Sequence, residues 1–421
     1  MRRRTGFAPR GRSSDSQMWR SPPGERTLAL LFVVAAVAIA TAGSFAGGAA
    51  ATSGFLVLTK STTLAEDHQG SIIVAADGIT IDCAGHSVTG PGFAGFDIRN
   101  VRGTTIKNCN VSGFKVGFFL WSAPNNKLTN NTSRSNEGEG FALASSPNNN
   151  GNELKGNTAE KNGWWGFAVY DDTQDTRLAG NTASANGFAG FFVGLGSNRT
   201  RLTANVARAN NTGFDIDSDA NIVTGNTAED NQSNGFLVFQ ANNNVFTGNT
   251  AQRNQWSGFV ITGAETNNTF LANRATKNGS IGFVFADGAS SNRLRANRSV
   301  GNLDHGFVFS SVSGIDSMHD QATGNGGDGF ALDNATDSTF VHDTANNGTR
   351  HGFSVGGSKG NLFRKDVANQ NANFGFVLFN DSKGNTIDES TAHGNPWADA
   401  ADYNVAANSW LNNSFGLTFF P

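Results

Sequence analysis

Two cysteines, three methionines, two tyrosines and eight prolines are all that 421 residues hold of those types. So few cysteines exclude a disulfide-rich scaffold, and Cys83 and Cys109 lack the further ligands at suitable spacing that a thiolate metal centre needs. No G-x-S-x-G elbow, H-E-x-x-H pair, phosphate loop or dinucleotide fingerprint stands in a credible context. Each of those chemistries needs its residues at fixed spacing on a particular local fold, so none of them is indicated.

Charge is missing from one long stretch. Seven arginines crowd residues 1–26 (Arg2, Arg3, Arg4, Arg10, Arg12, Arg20, Arg26) against Asp15 and Glu25, and no charged residue follows until Lys60. The apolar run Thr27 to Ala42 ends in small residues. A basic leader, an apolar centre and an A-x-A ending describe a secretory signal, so residues 1–54 are expected to be a signal peptide. The alternative is an uncleaved membrane anchor, since the uncharged run is long enough to span a bilayer. Export places the protein outside the cell or on its surface, or in the periplasm of a Gram-negative host. Without residues 1–42 the chain keeps 24 Lys and Arg against 32 Asp and Glu, a formal charge of −8. Nucleic acid is excluded as a partner, because no basic stripe exists to release counterions from phosphates.

What is abundant is glycine (52), phenylalanine (34) and asparagine. Thirteen Gly-Phe pairs put Phe at 96, 118, 141, 167, 191, 214, 236, 259, 283, 307, 330, 353 and 376, with spacings of 22 to 26 residues. Two residues after each Phe the side chain is apolar, from Ile98 to Leu378. Asn columns stand about ten residues before Phe (Asn131, Asn157, Asn181, Asn226) and about five before it (Asn136, Asn162, Asn186, Asn231). Three residues before the first Asn comes a third apolar column through Leu128, Leu154, Leu178 and Phe246. Phe-x-(Val/Leu/Ile) alternates with period 2 in segments too short for helices, so it predicts strands, with Gly and Asn at the turns between them.

A unit of about 23 residues with two or three short strands cannot bury its apolar columns alone, so successive units must stack. About thirteen coils at roughly 4.8 Å each make a rod of order 60 Å. Stacked Asn would then form amide ladders and stacked Phe would fill the axis, which makes both columns scaffold first. Residues 55–82 are expected to form the first strands and a cap, 83–395 the repeats and 396–421 the other cap. Cys83 and Cys109 fall at nearly the same place in adjacent coils, and in an exported chain an isolated pair reads as a disulfide pinning the first coils.

The opening ADGITIDCAGHSVTG (76–90), the repeated Asn-x4-Asn-x4-Phe coils and the closing NSWLNNSFG (408–416) resemble the PbH1-repeat family of secreted bacterial and archaeal proteins. That family includes the carbohydrate-binding and sugar-hydrolase (CASH) domains and the NosD-like periplasmic proteins of copper-enzyme maturation. The resemblance covers about residues 60–421. It implies an all-β fold, a right-handed parallel β-helix, and leaves function open, because the same coil carries lyases, hydrolases, epimerases and adhesins.

Departures from the repeat carry the functional signal. With Phe and Phe+2 inward, Phe+1 and Phe+3 face out. Along that face come Phe119 and Trp121, then Tyr170, Phe192, the acidic pair Asp215 and Asp217, and Phe239. Trp164, Trp165 and Trp256 lie in the turn before the strand, and Asp171, Asp172 and Asp219 just after it. Sugar rings stack their C–H faces on aromatics while their hydroxyls seek carboxylates, so this face is the candidate polysaccharide or cell-wall glycan site. The plainer reading is an outward apolar face covered by a second copy in a homo-oligomer or by the N-terminal segment, or simply exposed. Asp215 and Asp217, with Asp171 expected nearby, are candidate catalytic acid/base groups. The run Asp215-Ile-Asp217-Ser-Asp219 also offers oxygens to Ca²⁺, without the glycine and glutamate of a full EF-hand loop. No cofactor is otherwise indicated.

A second departure lies in the last coils. Asp320, Asp343 and Asp366 replace the first Asn, preceded by His319, His342 and Lys365, with Glu389 following in approximate register. Stacked histidines beside carboxylates are candidate transition-metal ligands, against the plainer reading of a loosened turn with compensating charges. His305 and His351, two before Phe, are expected to be solvent-facing turn residues. Three hypotheses follow: a non-catalytic glycan-binding or cell-surface module; a polysaccharide lyase, hydrolase or epimerase on the same face; and a NosD-like metal-handling protein, weakened by the scarcity of Met, Cys and His.

Overall fold

The computed structural model describes residues 52–420 apart from 145–148 and 405–406. The expected signal or anchor segment lies outside the described residues, save for its last three positions. Among the described residues no helix is long and apolar enough to cross a membrane.

The chain winds as a right-handed parallel β-solenoid of about fifteen turns. Each turn contributes a short strand to each of three long sheets. The Phe sheet runs from Leu56–Leu58 to Thr418–Phe419 and carries the Gly-Phe strands. The Leu sheet is sixteen-stranded, from Thr62–Thr63 to Ser409–Leu411. The Ala sheet is fourteen-stranded, from Thr52–Ser53 to Thr344–Asn346, and single bridges at Val367 carry it on to Thr391–Ala392 and Ser414–Phe415. All pairing is parallel and in register, as in Phe236↔Phe259, Phe246↔Phe270 and Ala228↔Ala251. The count exceeds thirteen because the end coils lack the Gly-Phe pair: Ile72 stands under Phe96, and Ala400 over Phe376.

One column fills the axis. The thirteen Phe rings from Phe96 to Phe376 form twelve consecutive stacks, centroids 4.6–5.0 Å apart and planes within 8°. Strand spacing imposes that distance, and it coincides with aromatic contact. The Leu and Ala sheets bring Leu154 and Ala159, Leu202 and Ala207, Phe246 and Ala251 to the same core, all fully buried.

The glycine before each Phe is there for closeness rather than for unusual backbone angles. A Cβ on Gly258 would lie 2.6 Å from the Gly282 carbonyl oxygen and 2.7 Å from the Ala275 Cβ of the following coil. The same two neighbours, a glycine carbonyl and the alanine of the third sheet, meet Gly166, Gly213 and Gly235. Small residues at both positions let the Phe and Ala sheets meet at this corner.

Two asparagine ladders run as expected. Nδ2 of each Asn donates to Oδ1 of the Asn one coil on, at 2.9–3.1 Å from Asn131 to Asn297 and at 2.8–3.3 Å from Asn136 to Asn325. A third ladder was not anticipated. It precedes the Leu sheet, where the backbone N–H of Thr200, Asn221, Asn244 and Asn268 donates to Asn221, Asn244, Asn268 and Asn292 in turn. Thr and Ser interrupt it at Thr176, Thr200 and Ser338, which hides it from a search for a repeated letter. Cys83 and Cys109 form the expected disulfide, with Cα atoms 4.8 Å apart.

Candidate functional site

The outward side of the Phe sheet carries a second, smaller hydrophobic cluster outside the main core. Ala94, Val116, Phe119, Ala142 and Ala144 are buried in it, with Trp121 and Tyr170 packed against them. Register builds it. Phe119 stands between Asp97 and Ala142, and Trp121 between Arg99 and Ala144. Small residues on the Phe141 and Phe167 coils leave a floor over which large neighbours lean.

The centre of the shelf is an aromatic group from two adjacent coils. Trp165 lies flat on Phe192, centroids 4.7 Å apart and planes within 12°. Tyr170 reaches back along its own strand to 6.3 Å from Trp165. Phe188 and Trp164 close the near edge, at 6.2 and 6.1 Å from Trp165 and 6.5 Å from one another. Trp164 is 41% exposed, so this edge faces solvent. Toward the N-terminal coils, Phe119 meets Phe93 edge to face at 5.0 Å, and the Arg99 guanidinium sits 5.2 Å from the Phe119 ring while its Nε donates to Asp97 at 2.7 Å.

Trp121, Tyr170, Phe192, Trp164 and Trp165 are therefore brought into one region. The acidic pair adjoins it: Asp215 pairs with Phe192 and Asp217 with Gly194 one coil on, both half-buried, and Leu237 and Phe239 occupy the strand beyond. Two expected members fall away. Trp256 stands three coils beyond Phe188 through Asn211 and Ser233, about 14 Å at ~4.8 Å per coil. Asp171 lies two coils from the acidic pair, at least ~10 Å of stacking. It sits at a left-handed turn beside Asp172, and burial followed by that like charge raises its pKa.

One residue of the shelf was missed. Glu139, two before Phe141, is 6% exposed, and burial pushes its carboxyl up to about 7. Among the described residues no lysine or arginine offsets this, and its neighbour is Tyr170, whose own ionisation it disfavours. The available signal was positional: Glu139 occupies the column that holds Val116 and Trp165 in the adjoining coils. Farther along the rod Glu265 is likewise buried and raised to about 7, its Oε1 accepting the Gln240 N–H at 2.7 Å.

The candidate metal ligands in the last coils do not converge. His319 and His342 stack on one another, centroids 5.0 Å apart, on the exposed surface. Asp320 and Asp343 are fully buried on the inner side of the same turns. The left-handed backbone of each histidine (φ 59° and 57°) turns it outward and the following aspartate inward. Among the described residues no group of three or more His, Cys, Asp or Glu could hold a metal ion, and this includes the Asp215–Asp219 run. Asp219 Oδ1 is taken by the N–H of Asn242 at 2.7 Å. His305 and His351 are also not simple solvent-facing turns. His305 Nδ1 accepts the Asp328 N–H at 2.8 Å, Asp328 Oδ1 accepts the His351 N–H at 3.1 Å, and His351 stacks on Phe374.

A family model described as right-handed beta helix region matches residues 49–207 and 284–417. A second model, described as periplasmic copper-binding protein (NosD), matches residues 189–306. That stretch contains one histidine, His305, and no cysteine or methionine, so its residues do not fit a copper centre. No curated protein matches the chain. Among solved structures the chain is similar to a periplasmic alginate epimerase, AlgG, at 13% identity over 68% of this chain and 74% of that one, TM-score 0.46. It is similar to the A-module of a mannuronan C-5 epimerase of Azotobacter vinelandii at 10% identity over 84% and 91%, TM-score 0.43. The Dettilon tailspike protein is similar at 11% identity over 85% and 61%, TM-score 0.38. With more than half of its length matched by the first model, the chain belongs to the right-handed β-helix family.

Proposed function

We propose that this protein binds polysaccharide along the outward side of the Phe sheet, across the shelf of Trp121, Trp164, Trp165 and Tyr170, backed by buried Phe119 and Phe192. The observation that carries the reading is the Trp165–Phe192 stack beside half-buried Asp215 and Asp217. Aromatic planes take the C–H faces of sugar rings, and carboxylates take their hydroxyls. The shelf lies along the rod axis, so a chain polymer can run over several coils. A glycan array, followed by titration of the best hit against wild type and the Trp121→Ala/Trp165→Ala double variant, tests it. Loss of binding in a folded double variant supports the shelf, whereas unchanged binding places the glycan elsewhere.

A second reading, chemistry on the bound glycan, is favoured by Glu139 alone. A carboxyl that titrates near neutrality in apolar surroundings serves as a proton donor or acceptor at working pH. Reducing-end release and 4,5-unsaturated-product assays on the polymer, with Glu139→Gln as control, separate turnover from binding. The metal-handling reading has no residue cluster among the described residues to rest on.

A further inference from the structure

The first asparagine ladder does not end where asparagine does. It continues through Asp320, Asp343 and Asp366, all fully buried and one coil apart. Asn297 donates to Asp320 Oδ1 from its backbone N–H and from Nδ2. The Asp320 N–H donates to Asp343 Oδ1 at 2.7 Å, and the Asp343 N–H to Asp366 Oδ1 at 2.7 Å. Below Asp366 its N–H passes to the Ser390 hydroxyl at 3.1 Å.

A ladder of this kind needs every member to donate as well as accept. In the asparagine coils Nδ2 donates both to the next Oδ1 and to a backbone carbonyl of an earlier coil, as Asn273 does to Asn297 and to the Phe246 carbonyl. An ionised carboxylate only accepts; a protonated one has an O–H in place of that donor. Asp320 Oδ2 takes the Ser317 hydroxyl at 2.8 Å. Asp343 Oδ2 and Asp366 Oδ2 are buried with no hydrogen-bond partner, at the position where asparagine would donate. Three carboxylates a coil apart in a dry interior also repel one another.

We propose that Asp320, Asp343 and Asp366 form a proton-held joint in the rod: protonated, the column completes the ladder, and deprotonated, it loosens the coils from about residue 316 to 392.

The surroundings offer little to stabilise the charged form. From the Leu sheet, Arg295 is the cation that bears on Asp320 and Asp343, and Asp316 on the same sheet already holds it. The inward side chains leading into the three turns are Ser317, Phe340 and Phe363. The Ala-sheet strands that follow turn Ala322 and Ala345 inward, and their outward residues Gln321, Thr323, Thr344 and Asn346 are uncharged. The Phe sheet contributes Phe330, Leu332, Phe353 and Val355. His319, His342 and Lys365 sit on the same turns but face solvent, with Lys365 paired to Glu389 at 3.3 Å. Burial accordingly raises all three carboxyls, Asp320 to about 7 and Asp343 and Asp366 well above the ordinary carboxylate range, these two helped by the charge of Asp320 and Asp343 respectively.

The sign follows from linkage. Groups raised in the folded state contribute stability that is whole below the ordinary carboxylate range and is lost as pH rises from there through the folded values, for Asp320 by about 7 and for Asp343 and Asp366 through their own raised values. The test is hydrogen exchange read by mass spectrometry on the full chain at pH 6 and pH 8.5, corrected for the intrinsic pH dependence of exchange. Peptides within 316–392 are expected to lose at least about ten-fold protection at the higher pH relative to peptides within 180–235, which hold neither Glu139, Glu265 nor their contacts. Asp343→Asn and Asp343→Asn/Asp366→Asn are expected to abolish that difference. Equal protection at both pH values in wild type, or a difference that persists in both variants, overturns the proposal. Should the double variant not fold, the infrared carbonyl band of protonated carboxylic acid, compared between wild type and Asp343→Asn at pH 7, decides: a smaller band in the variant supports the joint, and no change refutes it.

Discussion

Trp165 rests on Phe192 with the planes 12° apart, although the two residues are 27 positions apart and occupy different columns of the repeat. The Trp165 column lies two residues before its Phe and the Phe192 column one after. Only the lean of the indole over the strand of the next coil joins them. The stack lies outside the main core, so it can be altered without breaking the fold. Trp165→Ala is expected to weaken binding of the polymer identified on the array by about ten-fold, the order of 1 kcal/mol for an aromatic contact. Trp165→Phe should restore most of it, and Trp256→Ala, four coils away, should leave affinity within two-fold by the same rough scale. Isothermal titration with circular dichroism as a fold control measures all three.

Glu139 sets a pH dependence of its own. Because burial raises its carboxyl to about 7, its contribution to stability is complete below the ordinary glutamate range and disappears as pH passes that value. Glu139→Gln keeps the shape and removes the charge. The variant should match wild type at pH 4 and exceed it by about 3 kcal/mol at pH 8.5, on the scale of 1.4 kcal/mol per pH unit for a rise from 4.5 to about 7. Urea unfolding at the two pH values measures the difference, and a variant no more stable than wild type at pH 8.5 refutes the assignment.

Two glycines, Gly258 and Gly225, test close approach against backbone conformation. Gly258→Ala drives a methyl to 2.6 Å from the Gly282 carbonyl oxygen, so the coils must part, at a cost of about 3 kcal/mol or more. Gly225→Ala has no atom within 4 Å and strains only a φ of 63°, costing about 1 kcal/mol. Thermal unfolding should rank them in that order.

The Cys83–Cys109 disulfide closes a loop across the first coils, with a sequence separation of 26. Replacing both by serine should cost about 3 kcal/mol. The effect should be local to the N-terminal coils, so limited proteolysis of the variant should cut first within 55–112 and leave the 150–400 core intact.

Much of the fold was legible because one number governs it. Once the coil length is known, every column stacks on itself, and the Phe, Leu and two Asn columns could be read from spacing alone. The third asparagine ladder escaped because threonine and serine share its positions, and the repeat count fell short because Ile72 and Ala400 fill the Phe site at the ends. The candidate shelf was legible in part: Trp121, Tyr170, Phe192 and the acidic pair were placed on the outward face by alternation. Glu139 was not, because its importance rests on burial, and nothing in a single glutamate announces that it is dry. The histidine–aspartate pairs were read as one cluster because they are adjacent in sequence. A left-handed turn residue sends neighbouring side chains to opposite sides of the wall, and that is a property of backbone angles.

The sequence by itself determined the coil, the inward and outward columns, the two principal ladders and the disulfide, since each follows from position within a repeat that stacks at a fixed distance. The tertiary structure alone decided what different columns do to one another. It leaned Trp165 onto Phe192, sealed Glu139 beside Tyr170, and separated His319 and His342 from the buried Asp320 and Asp343. The physical reason is that side-chain lean, turn handedness and exclusion of water are set by packing between coils, which no periodicity in the letters encodes.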